Sequence, residues 1–218
     1  MVDPYVLLTW ISALAVIIPG LALLSLVRGV KIASLRNVTV ILASFGILHG
    51  FYHLSYLIPP VGNYASVIDL ASILLLVYLG VYYGQKVLAL PLLLLALPDL
   101  ASDLVPIALI FALILFVRLA LKSRTLSSLQ TQLSIFLIIW IVSELLRAFI
   151  VIGIISENPS LDLLGFEIHT ASMVAFGLFL LFRFYVVTSR MTDSIMPAKQ
   201  PAEQLAKQTN SLEKGGVK

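Results

Sequence analysis

The sequence of 218 residues contains no cysteine and few charged residues, and both shortages restrict what the protein can be. Without thiols it has no disulfide, iron–sulfur cluster, thiolate metal site or cysteine nucleophile, so a metal would need histidine, carboxylate or backbone oxygen ligands. Charged residues make up only 11% of the chain, whereas soluble domains use about 25%. So few charges cannot cover a surface in contact with water, which excludes a soluble globular protein.

Hydrophobic residues make up 60% of the chain and are concentrated in runs long enough for membrane-spanning helices. Such a helix needs about 20 mostly apolar residues. Six clear runs and a shorter, proline-containing run predict an all-α, seven-helix transmembrane domain over residues 1–188. The predicted spans are 5–27, 38–58, 65–84, 87–101, 104–122, 131–156 and 164–188. Residues 189–218 are polar and are predicted to form a disordered cytoplasmic tail.

Basic residues predict the orientation of these spans, because short loops rich in lysine and arginine remain in the cytoplasm. If 87–101 crosses the membrane, every lysine and arginine except Arg147 falls on one side. If that segment only re-enters, the basic cluster at 118–124 moves to the other side. We therefore predict seven crossings of the cell membrane, with the amino terminus outside and the carboxyl terminus inside. The net charge of +3 then reflects topology, and no nucleic-acid partner is expected.

Glu144 and Arg147 form the first of two groups of ionisable residues inside the predicted spans. They are three residues apart, and a helix places such side chains on one face. Charged groups inside a membrane are costly unless they are paired or hydrated. The two residues are therefore predicted to form a structural ion pair at the midplane, or to belong to a proton or ion path. Nearer the surface, Asp99 and Asp103 are predicted to bracket the outer turn between spans four and five.

The histidines form the second group. His49 and His53 are four residues apart, so both imidazoles lie on one face of span two. Counting along each helix places His53 and His169 at about the same depth below the outer surface, with Asp69 and Glu167 slightly shallower. These five residues are predicted to form one pocket in the outer leaflet.

Four interpretations of the pocket remain open: a metal ion, haem, hydrogen bonds between helices, and a proton relay. Neutral imidazoles with a carboxylate suit zinc, copper or iron, and three protein ligands with one open position are typical of a catalytic metal. Haem b is an alternative ligand, held between His53 and His169. The histidines can also link neighbouring helices through hydrogen bonds, or relay protons, because imidazole titrates near neutral pH. Retinal is not expected, since the seventh span contains no lysine for a Schiff base.

Four scattered positions carry a resemblance to a known family: Ser44, His49 or His53, Asp69 and His169. They resemble the zinc-binding pattern of the ceramidase and progestin-receptor-like seven-helix hydrolases, which use a second-span Ser and His, a third-span Asp and a seventh-span H-x3-H. Met173 stands where that family has its second seventh-span histidine. The resemblance implies a zinc-dependent membrane hydrolase. The seven-span plan is also similar to that of the SWEET-type sugar transporters, with the short fourth span as the linker between two three-helix halves.

Together these features predict an auxiliary membrane subunit or sensor whose outer pocket binds a metal ion or haem. The first alternative is a small-solute or proton-coupled transporter that uses Glu144 and Arg147. The second is the zinc-dependent hydrolase. The expected partners are the lipid bilayer and other membrane subunits.

Overall fold

The computed structural model describes residues 3–84, 98–123, 125–156 and 158–195, and helices account for most of them. The helices are α1 (Pro4–Leu26), α2 (Ala33–Ser55), α3 (Ala65–Gly84), α4 (Pro98–Lys122), α5 (Leu129–Val151), α6 (Pro159–Phe179) and α7 (Val186–Ile195). A 3₁₀ turn at Val61–Tyr64 precedes α3, and a π-helical stretch at Leu180–Tyr185 joins α6 to α7. The tail predicted from residue 189 thus begins within a helix, and its remainder lies outside the described residues.

Six stretches of the described chain are long and apolar enough to cross a membrane. They are α1, α2, α3 with its 3₁₀ turn, α4, α5, and α6 continued into α7. Most of the predicted fourth span, 87–101, lies outside the described residues. Large apolar side chains on α1 and α4 are exposed, as expected of helices that face lipid: Leu14, Ile18, Leu21, Ile107 and Ile114. Within the described ranges the fold is therefore all-helical, with the apolar outer surface of a membrane bundle.

Local sequence explains where two of the helices begin. The carboxylate of Asp3 accepts a hydrogen bond of 2.9 Å from the Tyr5 amide at the start of α1. The side-chain oxygen of Asn158 accepts one of 3.0 Å from the Ser160 amide at the start of α6. A proline follows each cap and needs no hydrogen bond for its nitrogen. Such caps satisfy amides that have no partner within the helix.

The described helices form a closed ring, because each of α1 to α5 packs against the next helix and α6 packs against α1. Glycines allow a close approach where α1 meets its two neighbours. A Cβ atom on Gly46 of α2 would lie 2.7 Å from the Val16 carbonyl oxygen. A Cβ atom on Gly177 of α6 would overlap the Ala15 carbonyl oxygen. Small residues at such crossings are typical of helices that associate in membranes.

Neighbouring helices are not all antiparallel. Asn37, near the start of α2, donates a hydrogen bond of 3.4 Å to Tyr82, near the end of α3, so these two helices run in opposite directions. In contrast, a Cβ atom on Gly80 would lie 3.0 Å from the Leu115 side chain, and both residues lie near the carboxyl ends of their helices. Therefore α3 and α4 run parallel, and Gly84 and Pro98 lie at opposite ends of the bundle.

The same reasoning assigns a common direction to α1 and α6. Ser12 and Thr170 share a hydrogen bond of 2.9 Å, and further along both helices Ala15 lies against Gly177, so these helices are parallel. The carboxyl ends of α1, α3, α4 and the extended α6 consequently meet at one end of the bundle. We call it the basic end, because it carries Arg28, Arg118, Lys122, Arg183 and Arg190.

One helix departs from the sequence prediction. A single helix, α4, runs through the position where spans four and five were expected to meet. Ala101, Val105 and Leu109 are all buried, and their spacing of four residues continues the helical repeat through the expected turn. Asp99 and Asp103 therefore lie within the first turns of a helix and do not bracket a turn. The side chain of Asp103 is exposed, so its charge did not require a loop.

Candidate metal centre

All three histidines of the chain lie together inside the helix ring, toward the end opposite the basic end, which we call the site end. His49 and His53 come from the carboxyl-terminal half of α2, and His169 comes from α6. Their exposed fractions are 0%, 1% and 0%. One ligand nitrogen from each histidine lies within 4.8 Å of the other two. The triad can therefore hold a metal ion, and the predicted convergence of the three histidines is confirmed.

The spacing between two of the imidazoles matches that of metal ligands. The Nε2 atoms of His53 and His169 are 3.2 Å apart. Two nitrogens bound to one tetrahedral zinc ion at about 2.0–2.1 Å are about 3.4 Å apart. The Nε2 atom of His49 is also buried, and it has no hydrogen-bond partner. The site thus offers two nitrogens at the spacing of metal ligands. The third nitrogen, His49 Nε2, is free of any hydrogen bond.

Asp69 contacts the second nitrogen of the His49 ring, Nδ1. The His49 Nδ1 atom lies 3.2 Å from a carboxylate oxygen of Asp69 and 3.0 Å from the hydroxyl oxygen of Ser72. Ser72 donates its own proton to the Asp69 carbonyl oxygen at 2.7 Å, so its oxygen accepts from His49. These contacts keep the proton on Nδ1 and leave the lone pair on Nε2. A carboxylate behind a ligating imidazole is the usual outer partner at metal sites.

Glu144 takes the equivalent position behind His169. Its Oε2 atom lies 2.7 Å from the His169 Nδ1 atom, and both side chains are almost completely buried. The adjacent residue, Ser143, shares a hydrogen bond of 2.8 Å with Ser172 on α6. Two neighbouring residues of α5 therefore fix α6 in position beside the triad. Two of the three histidines consequently have a buried carboxylate at Nδ1.

Aromatic rings enclose the triad toward the basic end. The Trp140 ring stands edge-on to His49, with the ring centroids 4.9 Å apart, and it is completely buried. Phe45 stacks on the His49 ring at 5.4 Å and also contacts Trp140, with the centroids of those two rings 5.1 Å apart. These contacts restrict the rotation of the imidazole and exclude water from one side of the triad.

The structure places the predicted carboxylates differently from the sequence analysis. Asp69 lies beside His49 as expected. Glu167 does not reach the triad: it is exposed, because two residues from His169 corresponds to roughly the opposite face of the helix. Glu144 joins the triad instead, although it had been placed at the membrane midplane. The reason is that α5 ends at Val151, so Glu144 lies about 10 Å from the helix end.

The predicted pairing of Glu144 with Arg147 is not observed. Among the described residues, no carboxylate oxygen lies within 4.0 Å of the Arg147 guanidinium. Its Cζ atom instead lies 4.5 Å from the centroid of the Phe166 ring, an arrangement typical of cation–π contacts. The Nη1 atom of Arg147 is buried without a hydrogen-bond partner. Asp103, on α4, is exposed and lies outside the triad.

Comparison with protein-family models, with curated proteins and with solved structures gave no match for this chain. Of the positions that resemble the seven-helix hydrolases, Ser44 is partly buried five residues before His49 on α2. Met173 is completely buried one turn beyond His169, on the same face of α6. The triad thus takes two histidines from α2 and one from α6.

Proposed function

We propose that the protein binds one first-row transition metal ion, with zinc or copper preferred, through the Nε2 atoms of His49, His53 and His169. The unpartnered and buried Nε2 atom of His49 carries this proposal. A buried polar atom without a partner destabilises the fold, and a metal ion bound by all three imidazoles removes that penalty. Histidine nitrogens favour zinc and copper over calcium or magnesium.

Charge supports a divalent ion at this position. The carboxylates of Asp69 and Glu144 lie directly behind two of the imidazoles. Two carboxylates balance the charge of a divalent metal, so the metal can be taken out of water without an excess of charge inside the membrane. Neutral imidazoles are also the form that ligates a metal.

Haem fits the geometry less well than a single ion. A bis-imidazole haem would place its flat macrocycle between His53 and His169, but their Nε2 atoms are only 3.2 Å apart. The rings of His49 and Trp140 would also have to leave their places. A single ion needs no such rearrangement.

Three protein ligands leave a fourth position for water or another small molecule, as in catalytic zinc sites. We therefore propose a metal-dependent function, either sensing or chemistry at the open position, in an auxiliary subunit or sensor. The metal-dependent hydrolase is the catalytic form of this proposal. A proton relay is the second candidate, because Glu144, His169 and His53 are connected by contacts of 2.7 and 3.2 Å.

The proposed location is the outer half of the cell membrane. Because α3 and α4 are parallel, Gly84 and Pro98 lie at opposite ends of the bundle, which supports seven crossings. The basic end matches the cytoplasmic side by the rule that positive loops stay inside. The site end, with the triad, then faces outward.

The test is the metal content of the purified full-length protein in detergent, measured by elemental analysis with an absorption spectrum. We expect about one zinc or copper ion per chain, and none in His49→Ala or His169→Ala. The control is Glu167→Gln, since that carboxylate is exposed and should leave the metal in place. A Soret band would select haem, and a wild-type protein that takes up neither zinc nor copper would contradict the metal proposal and favour the proton relay.

A further inference from the structure

Arg147 is a partly buried cation with a buried Nη1 atom that the metal site alone does not explain. Its Nη1 atom has no hydrogen-bond partner, and no carboxylate among the described residues approaches within the distance of an ion pair. Glu144, three residues earlier on the same helix, contacts His169 instead. A guanidinium nitrogen withdrawn from water without a hydrogen-bond partner is costly, particularly inside a membrane. An anion from outside the chain would remove this cost.

The position of Arg147 connects it to the triad. It lies one helical turn beyond Glu144, toward the site end, and its contact Phe166 lies one turn beyond His169 in the same direction. On α2, Tyr56 lies one turn beyond His53. Arg147 and these two aromatic residues therefore form a layer between the triad and the surface of the site end.

This layer contains polar groups and reaches the surface at Tyr56. The hydroxyl of Tyr56 donates a hydrogen bond of 3.3 Å to the hydroxyl of Tyr52. Tyr56 is 55% exposed, and Arg147 itself is only partly buried. A small ligand arriving from the site end would meet the guanidinium and the hydroxyls before it met the metal.

The balance of charge indicates what such a ligand would be. The carboxylates of Asp69 and Glu144 balance the charge of a divalent metal. The positive charge of Arg147 then remains without compensation in the occupied site. One monoanion would complete the compensation. The planar guanidinium fork suits carboxylates and other planar oxyanions.

We propose that Arg147 binds the anionic group of a small carboxylate or planar oxyanion that also occupies the open position of the metal. This inference rests on the proposed metal site and assigns its class of ligand. The metal supplies a Lewis-acidic position, and Arg147 selects and orients the anion beside it. Phe166 holds the guanidinium in this layer through the cation–π contact.

The experiment uses the full-length protein loaded with cobalt, whose visible spectrum reports its ligands. Acetate and azide are the probes, titrated separately at constant pH and ionic strength. We expect saturable spectral changes in the wild type and at least about tenfold weaker binding of both anions in Arg147→Gln, with one cobalt per chain retained. Arg147→Lys keeps the charge but loses the planar set of N–H donors. It should therefore weaken the binding of acetate more than the binding of azide. The matched control is Arg183→Gln: Arg183 is exposed at the basic end and donates to Gln132.

The outcomes separate the two proposals. If the wild type binds no cobalt, zinc or copper, both the metal site and this inference are wrong. If cobalt binds but acetate has the same affinity in wild type and Arg147→Gln, only the role of Arg147 is overturned. Should Arg147→Gln fail to fold, Arg147→Lys decides: an unchanged affinity for acetate contradicts the inference, and a selective loss of acetate binding supports it.

Discussion

The Oε2 atom of Glu144 lies 2.7 Å from the Nδ1 atom of His169, and this contact joins α5 to the histidine triad. It directs the opposite nitrogen of the same imidazole toward His53, 3.2 Å away. Asp69 has the same relation to His49. Carboxylates thus approach the triad from two different helices, and each one fixes the orientation of a single ring.

Replacing Glu144 by glutamine should weaken metal binding without abolishing it. The amide keeps the size of the side chain but removes the negative charge that orients His169 and makes it more basic. Loss of such an outer partner typically lowers metal affinity about 10- to 100-fold. The measurement is a competition titration of the purified variant against a chromophoric chelator. Glu167→Gln serves as the control, and equal zinc affinity in the two variants would show that Glu144 does not support the site.

Asp69→Asn should have a similar effect through His49. The carboxylate lies 3.2 Å from the His49 Nδ1 atom, so the uncharged amide would hold the ring proton less firmly. We expect zinc affinity to fall about 10- to 100-fold, and Ser72→Ala to cause a smaller loss because the carboxylate remains. The same competition titration provides both values. A larger loss in Ser72→Ala than in Asp69→Asn would contradict the assignment of Asp69 as the main partner.

The grouping of the histidines could be predicted from the sequence, because it depends only on the helix face and the depth of each residue, which follow from residue spacing. The interval of four residues sets the shared face of His49 and His53, and the distance from each helix end sets their depth relative to His169. Neither quantity gives the rotation of one helix against another. Glu167 was therefore assigned to the pocket from its depth, although it faces away from the triad.

The role of Glu144 could not be predicted from the sequence, because it depends on where α5 ends and on how α6 packs against α5. The apolar run continues past the end of α5 at Val151, so the depth of Glu144 was overestimated. From the sequence, the predicted partner of Glu144 is Arg147, the nearest opposite charge along the helix. In the folded chain α6 brings His169 closer than Arg147, and a contact across helices replaces the one expected within a helix.

The contact between α1 and α6 should be sensitive to a single methyl group. In Gly177→Ala the new Cβ atom would overlap the Ala15 carbonyl oxygen, and backbone cannot move aside as a flexible side chain can. Overpacking of this kind costs roughly 1–3 kcal/mol. We expect a lower midpoint of thermal unfolding in detergent for this variant. Gly165→Ala on the same helix is the control, since its nearest neighbour, the Ile150 side chain, would lie 3.7 Å away; equal midpoints for the two variants would contradict the close crossing.

The parallel arrangement of α3 and α4 predicts which loops share a side of the membrane. The chain contains no cysteine, so single cysteines can be introduced at the exposed positions Ile32, Ile58, Leu126 and Ile154 without other thiols. We expect an impermeant maleimide added to intact cells to label Ile58→Cys and Ile154→Cys, which lie at the site end. Ile32→Cys and Leu126→Cys should react only after the membrane is opened, because their loops lie at the basic end. Labelling of Leu126→Cys in intact cells would mean that the chain does not cross between Gly84 and Pro98, and the orientation assigned to α4, α5 and α6 would have to be reversed.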